Sequence, residues 1–191
     1  MKTRYPLIFL VVMLVSCART VTRIEPNTQI DLSGRWNDSD SRKVADQMIH
    51  DLFQSDTFKK YADGLVRKPV IAIGIIRNKT SEHIDASNFV RRFEIVIHNS
   101  GMAELVESSE FRDKLRQERA EQQDFSDPAT VAKWGKEIGA DVMLFGEINS
   151  ETDTYSKKRV VNYITTLFLT DIETNKHVWY GQNEIKKFVK N

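Results

Sequence analysis

The single cysteine of the sequence, Cys17, stands at the end of a motif that could accept a lipid. It follows Leu14, Val15 and Ser16, and the four residues resemble a bacterial lipobox, in which the cysteine thiol is joined to a diacylglycerol and becomes the new N-terminus after cleavage. A secreted chain with one thiol cannot form an internal disulfide, and an unused thiol would be a liability. The motif therefore predicts lipidation of Cys17. Ordinary signal-peptide cleavage after Ala18 is the alternative.

The residues before Cys17 have the pattern of a secretory signal peptide. Lys2 and Arg4 precede an apolar run of nine residues, 7–15. That run is far shorter than the roughly 20 residues that a membrane-spanning helix needs. We predict that residues 1–16 are a lipoprotein signal peptide that is removed from the mature chain.

The remaining chain is predicted to form a short tether and one domain. Residues 17–33 are polar and aperiodic after the lipidated N-terminus, with Pro26 in their middle, and residues 34–191 are long enough for one sizeable core. Ala18 stands where retention in the inner membrane of enterobacteria would favour aspartate. The sequence thus predicts a lipid anchor in the outer membrane that holds a periplasmic domain at its inner surface.

The other residues that could carry chemistry are scattered. No histidine has a second ligand at i+3 or i+4, and the Asp38-x-Asp40 pair lacks the glycine and glutamate of a calcium loop. There is no Gly-x-Ser-x-Gly elbow, and the turn after the first strand has no phosphate-binding glycine. The sequence predicts no enzyme, metal, cofactor or small-molecule substrate. A hydrolase whose site forms only in space is an alternative. The histidines are His50, His83, His98 and His177.

The charge balance argues against nucleic-acid binding. The full chain has 28 basic and 27 acidic residues. Removal of the signal peptide takes away Lys2 and Arg4, which leaves a formal charge near −1. A nucleic-acid-binding domain would instead concentrate basic residues, so we predict no such partner.

The clearest structural unit is a helix followed by a strand in residues 126–150. Asp127 and Pro128 are typical of a helix start, and Gly139 of a helix end. The run 142–145 is apolar at every position, which predicts a central strand covered on both faces. The apolar stripe of the helix consists of Val131, Trp134 and Ile138.

The rest of the chain alternates between similar elements. In the first half we predict a helix capped by Asp40 or Ser41, an ambiguous segment at 55–68, and a strand at 70–76 buried on both faces. A helix from Asp85 to Gly101, a strand at 103–106 and a charged helix at 110–123 follow. In the second half we predict a polar turn at 151–158, a strand at 159–170 and a last edge strand from His177. This order predicts a single α/β (α+β) domain with a mixed four- to five-stranded sheet flanked by helices, with crossovers early and hairpins late.

Several short motifs occur in an order that is typical of one known family. They are Cys17, Trp36-Asn37, the turn Arg77-Asn78-Lys79-Thr80, Asn99-Ser100-Gly101 with Glu104-Leu105-Val106, the unit 138–142, and Trp179-Tyr180-Gly181. With this set the chain resembles the LpoB-type penicillin-binding-protein activator lipoproteins over nearly the whole mature domain.

The resemblance implies a periplasmic domain similar to the N-terminal domain of TolB, tethered to the outer membrane. It also implies that the domain binds and stimulates a bifunctional peptidoglycan synthase, a penicillin-binding protein. Enteric members have a long proline-rich tether, whereas the tether here has about sixteen residues. The alternative is an assembly or structural role in an outer-membrane complex, since curli-pore lipoproteins have a related domain. The matched motifs resemble turns and core, so they identify no contact residues.

Overall fold

The computed structural model describes residues 19–130 and 137–190. The predicted signal peptide, the predicted lipid site Cys17, and the predicted helix positions Val131 and Trp134 lie outside the described residues. The predicted end of that helix is wrong, because residues 137–140 are not helical and Ile138 is 60% exposed. The described chain contains four helices and five strands. These are α1 Asp38–Gln54, α2 Asp56–Asp63, β1 Val70–Asn78, α3 Ala86–Ser100, β2 Glu104–Leu105, α4 Ser109–Phe125, β3 Val142–Tyr155, β4 Lys158–Asp171 and β5 His177–Lys190.

The five strands form one mixed sheet with the order β2-β1-β3-β4-β5. β1 pairs in parallel with β2 and β3, whereas β3, β4 and β5 pair antiparallel as consecutive hairpins. The prediction of a single mixed α/β domain with early crossovers and late hairpins is confirmed. β3 is the central strand, as its apolar run predicts.

Helices α1, α2 and α3 pack on one face of this sheet, where the apolar core lies. The stripe on α1 is buried, with Val44, Met48 and Leu52 no more than 1% exposed. All buried apolar residues of the described chain fall between Val44 and Trp179. The chain from residue 19 onward therefore contains every described element and the whole of this core.

The cap residues explain where two helices begin and end. Asp85 caps α3 through a hydrogen bond from the Ser87 amide, and Gly101 ends it with a φ of 64°, as predicted. The prediction for α1 was wrong by a few residues. Asn37 is its N-cap, and its side chain and that of Asp40 form a reciprocal capping box, so Asp40 occupies the third helical position.

Two predictions about the strands are also wrong. β1 is covered on both faces only at its start, where Val70, Ile71 and Ala72 are all buried, because Ile75 is 63% exposed. β3 is covered on one face, because its burial alternates along its first half. Residues 151–158 are not a polar turn, because β3 continues to Tyr155 and β4 begins at Lys158. Only two residues form the turn, and Ser156 takes the left-handed backbone conformation with a φ of 55°. The end of β3 is polar, and its residues 151–155 are all exposed.

Candidate functional site

Asp141, in one of the motifs that carry the family resemblance, joins the starts of β1 and β3. Its carboxylate accepts hydrogen bonds from both ends of the Arg67 guanidinium, at 2.8 and 2.9 Å, and from the Val70 amide at 2.8 Å. The Asp141 amide donates to the Val70 carbonyl at 2.8 Å. These contacts set the register of two parallel strands, so Asp141 has a structural role.

The turn after β1 is held by Asn78 and Glu82. The side-chain amide of Asn78 donates to the Glu82 backbone carbonyl at 2.7 Å, and the side-chain oxygen of Asn78 accepts from the Thr80 backbone amide at 2.9 Å. The Glu82 carboxylate accepts from the Trp36 amide at 3.0 Å and from the Tyr163 hydroxyl at 2.7 Å. Burial and the hydrogen bond to Glu82 raise the pKa of Tyr163, so its hydroxyl stays protonated. This polar cluster organises a loop and includes no free reactive group.

Lys187 fastens the start of the domain to the last strand. Its ammonium donates to Asp31 at 2.6 Å, to Asp40 at 2.5 Å and to the Arg35 carbonyl at 2.9 Å, and its side chain is 10% exposed. Desolvation lowers the pKa of Lys187, but the hydrogen bonds to the two carboxylates outweigh it and raise the pKa overall. The hydrogen bond from Lys187 also lowers the pKa of Asp31. The cluster is an internal ion pair network rather than a catalytic site.

The opposite face of the sheet carries a row of aromatic side chains that no described helix covers. Phe145, Phe168 and Tyr180 are partners in register on β3, β4 and β5. The ring centroids of Phe145 and Phe168 are 5.7 Å apart, and those of Phe168 and Tyr180 are 6.3 Å apart, with both pairs stacked. Tyr180 is 62% exposed. We call these three residues the aromatic row.

A bulge in β1 borders the aromatic row on one side. Ile73 pairs with Leu144 and Ile76 with Gly146, so Gly74 and Ile75 together stand opposite Phe145. The bulge directs Ile75 outward on the helix-free face, because Ile76 is turned into the core. A Cβ on Gly74 would lie 2.7 Å from the Phe145 ring. The absence of a side chain at Gly74 thus allows this ring to lie over β1.

A second bulge, in β5, borders the row on the other side. Leu169 pairs with Trp179 and Thr170 with His177, which leaves Val178 as the extra residue. Val178 packs against the core together with Trp179. The His177 ring consequently lies on the helix-free face, 5.3 Å from the Phe168 ring, and its Nδ1 is 3.2 Å from the Thr170 hydroxyl. Both bulges therefore enlarge the same surface.

This surface has the composition of a protein-binding site. Tyrosine and phenylalanine are enriched at the centres of protein interfaces, and stacked rings lose little conformational entropy when a partner covers them. The neighbouring positions toward the hairpin, Glu147, Thr166 and Gln182, are polar, and Glu147 forms an ion pair with Lys79. An apolar centre beside a polar rim is the usual arrangement of an interface.

Sequence reasoning missed this surface. It assigned the apolar residues of β1 and β3 to strands buried on both faces, and it considered His177 as a metal ligand and as the start of the last strand, but not as part of a surface. The available signal was the pairing of aromatic positions in consecutive hairpin strands, at Phe145, Phe168 and Tyr180. Without the strand register, however, their alignment cannot be read from the sequence.

The described residues contain no group of three or more histidine, cysteine, aspartate or glutamate side chains placed to hold a metal ion. The four histidines stay apart, in α1, in the loop before α3, within α3 and on β5. Within residues 19–130 and 137–190, no helix has the length and apolar character to cross a membrane.

Comparison with known proteins identifies a family. The family model described as peptidoglycan-synthase activator LpoB matches residues 40–185, from the first turn of α1 into β5. The LpoB C-terminal domain from Escherichia coli is similar, with 15% identity, a TM-score of 0.43, and coverage of 80% of this chain and 99% of that chain. The same domain from Salmonella enterica has 14% identity, a TM-score of 0.40, and coverage of 76% and 94%. Lipoprotein GNA1162 from Neisseria meningitidis has 13% identity, a TM-score of 0.39, and coverage of 63% and 83%. No curated protein matches the sequence.

Proposed function

The chain belongs to the LpoB family of peptidoglycan-synthase activators, and we propose that it binds and stimulates a bifunctional penicillin-binding protein from the outer membrane. The family model, which covers more than half of the chain, is the observation that carries this proposal. Members of this family act as regulators, so the activity lies in the partner. The proposed role of this chain is to change the synthase by contact.

We propose the aromatic row as the contact surface for the synthase. A regulator without a catalytic site of its own needs an exposed surface that loses water on binding. Tyr180 and Ile75, 62% and 63% exposed, would lose most of their water contact under a partner. The half-buried Phe145 and Phe168 support them from within the sheet. A rigid sheet face presents these groups without a cost for ordering a loop.

The direct experiment measures synthase binding and glycan polymerisation with the chain from residue 19 onward. Tyr180→Ala should weaken binding on the order of 10- to 30-fold, as expected for an aromatic residue at the centre of an interface. Tyr155→Ala is the matched control, because Tyr155 is an 83% exposed tyrosine on the same sheet face, but at the far end of the hairpin. Equal stimulation by the two variants would reject the aromatic row as the contact surface. Absence of any stimulation by the unaltered chain would reject the proposed partner.

We further propose that an acylated Cys17 anchors the domain on the periplasmic face of the outer membrane. Family membership supports a location in the cell envelope, and the lipobox supports the anchor. Metabolic labelling with palmitate should mark the protein, and Cys17→Ser should remove the label. Fractionation of the two membranes then tests the location, since recovery of labelled protein in the inner membrane would contradict the predicted sorting.

A further inference from the structure

The hairpin end of the sheet, remote from the aromatic row, combines cationic and apolar side chains on one face. Tyr155, Lys158 and Lys190 form one rank of register partners across β3, β4 and β5. Val160 and Phe188 are also partners in register, two residues farther along β4 and β5, and successive side chains of a strand alternate between its faces. Residues in register point to the same side of a sheet, so these side chains share one face.

The apolar groups at this end are unusually exposed. Tyr155 is 83% and Phe188 is 63% exposed. Leu32, which lies beside β5 in the segment that enters the domain, is 94% exposed. Tyr155 and Phe188 have no core to pack against, because α1, whose Asp40 binds Lys187, lies on the other face of the sheet. Exposed aromatic side chains therefore stand beside lysine side chains, which makes this end of the sheet both cationic and apolar.

Positive charge is concentrated at the same place. Residues 153–160 and 186–190 contain six cationic side chains and one acidic side chain, Asp153. Lys187 is neutralised by Asp31 and Asp40, so it does not contribute to the surface. The formal charge of the whole chain is only +1, which means that this excess is local. We call the exposed residues at this end the basic tip: Tyr155, Lys157, Lys158, Lys186, Phe188 and Lys190.

The N-terminal segment reaches the domain at the basic tip. Gly34 lies against Val189, where a Cβ on the glycine would be 2.2 Å from the valine side chain. Arg159 donates to the Ser33 carbonyl at 3.5 Å. Asp31 is bound to Lys187 on the same strand. An anchor on the chain before residue 31 would consequently hold this end of the sheet nearest to the point of attachment.

We propose that the basic tip docks on an anionic lipid surface. Lysine and arginine side chains near a membrane are attracted by anionic headgroups. Tyrosine favours the headgroup level, and apolar side chains such as Phe188 and Leu32 can enter the acyl boundary. An acidic protein would satisfy the lysines but would give no reason for three widely exposed apolar side chains. The surface is therefore better matched to lipid than to an acidic protein.

Docking in this way would orient the rest of the molecule. Tyr180 and Phe188 lie eight residues apart on β5, which is about 26 Å along a strand. With the basic tip on the membrane, the aromatic row would lie about 26 Å from the lipid along the strands. The inference extends the proposed function, but it does not require the lipid anchor, because the tip should bind vesicles by itself.

The test is co-sedimentation of the chain from residue 19 onward with vesicles of phosphatidylcholine, with and without phosphatidylglycerol. The chain should bind only the anionic vesicles, and added salt should weaken binding. Lys158→Gln with Lys190→Gln should weaken partitioning roughly 30-fold, from the usual contribution of a lysine near an anionic surface. The matched control is Lys60→Gln with Lys176→Gln, two exposed lysines distant from the tip, with Lys176 about 40 Å away along the sheet.

Two results would overturn the inference. One is equal binding to neutral and anionic vesicles, or none to either. The other is an equal loss of binding in the tip and control variants, which would indicate a response to net charge alone. Tyr155→Ala with Phe188→Ala adds a second check, since these exposed residues can change without damage to the core and their loss should also weaken binding. Stimulation of the synthase in solution should be unaffected by the tip variants, so failure here and failure of the proposed function can be told apart.

Discussion

Replacement of Lys187 by methionine should destabilise the domain strongly, although the residue lies on an edge strand. Lys187 is the cation between Asp31 and Asp40, and the side chain of Asp40 is 6% exposed. Methionine is similar in length and would preserve the packing of the side-chain stem. The substitution therefore removes the ammonium, with its charge and its hydrogen bonds, and leaves the Asp40 carboxylate buried without its cation.

The expected cost follows from the burial of this pair. Loss of one partner from a buried ion pair costs about 3–5 kcal/mol, because the remaining charge is uncompensated. The contact with Asp31 adds little, since that side chain is 36% exposed. We expect the low end of the range, about 3 kcal/mol, which corresponds to a fall of roughly 6–12 °C in the melting temperature of a chain of this size. Asp40→Asn in the same chain should recover most of the loss, because asparagine carries no charge and can still accept the Asn37 amide of the capping box.

Urea unfolding of the chain from residue 19 onward measures this difference. Lys186→Met is the control, because Lys186 is an exposed lysine of the same strand and should change stability by no more than about 0.5 kcal/mol. A loss below about 1 kcal/mol for Lys187→Met, or an equal loss in the double variant with Asp40→Asn, would refute the assignment of a buried and uncompensated carboxylate.

The pH dependence of stability gives an independent readout of the same cluster. The pKa of Lys187 is raised from 10.5, so its contribution is complete below that pH and is lost as the pH rises through the higher folded-state value. The pKa of Asp31 is lowered from 3.8, so its contribution is present above that pH and is lost as the pH falls through the lower folded-state value. Both dependences should flatten in Lys187→Met.

Three further substitutions test the register of the sheet and the candidate surface. Asp141→Ala should cost about 1–3 kcal/mol in urea unfolding, because the buried Val70 amide loses its acceptor, whereas Arg67→Ala should cost less than about 1 kcal/mol because Arg67 is half exposed. The reverse ranking would contradict the role given to Asp141. Gly74→Ala should displace the Phe145 ring. Stimulation of the synthase should therefore fall even at a temperature at which the variant is fully folded. Unchanged stimulation would show that the position of this ring is unimportant for the partner.

The local signals in the sequence were sufficient for most of the elements. Asp85 and Gly101 bound α3 because a cap and a left-handed glycine act within a few residues of the helix they end. The early crossovers and late hairpins follow from the order and spacing of the elements. The start of α1 was misplaced because Asn37 and Asp40 are both good cap residues, and only the reciprocal hydrogen bonds distinguish them.

The sequence by itself determined the fold class, the family resemblance and the motif at Cys17, because each depends on neighbouring residues or on their order. The tertiary structure alone decided which faces of β1 and β3 stay open, and where the two bulges turn Ile75 and His177. An apolar run such as residues 142–145 is compatible with a strand covered on one face or on both. Which of the two occurs depends on the placement of helices that are distant in the chain, and periodicity within a strand carries no information about them.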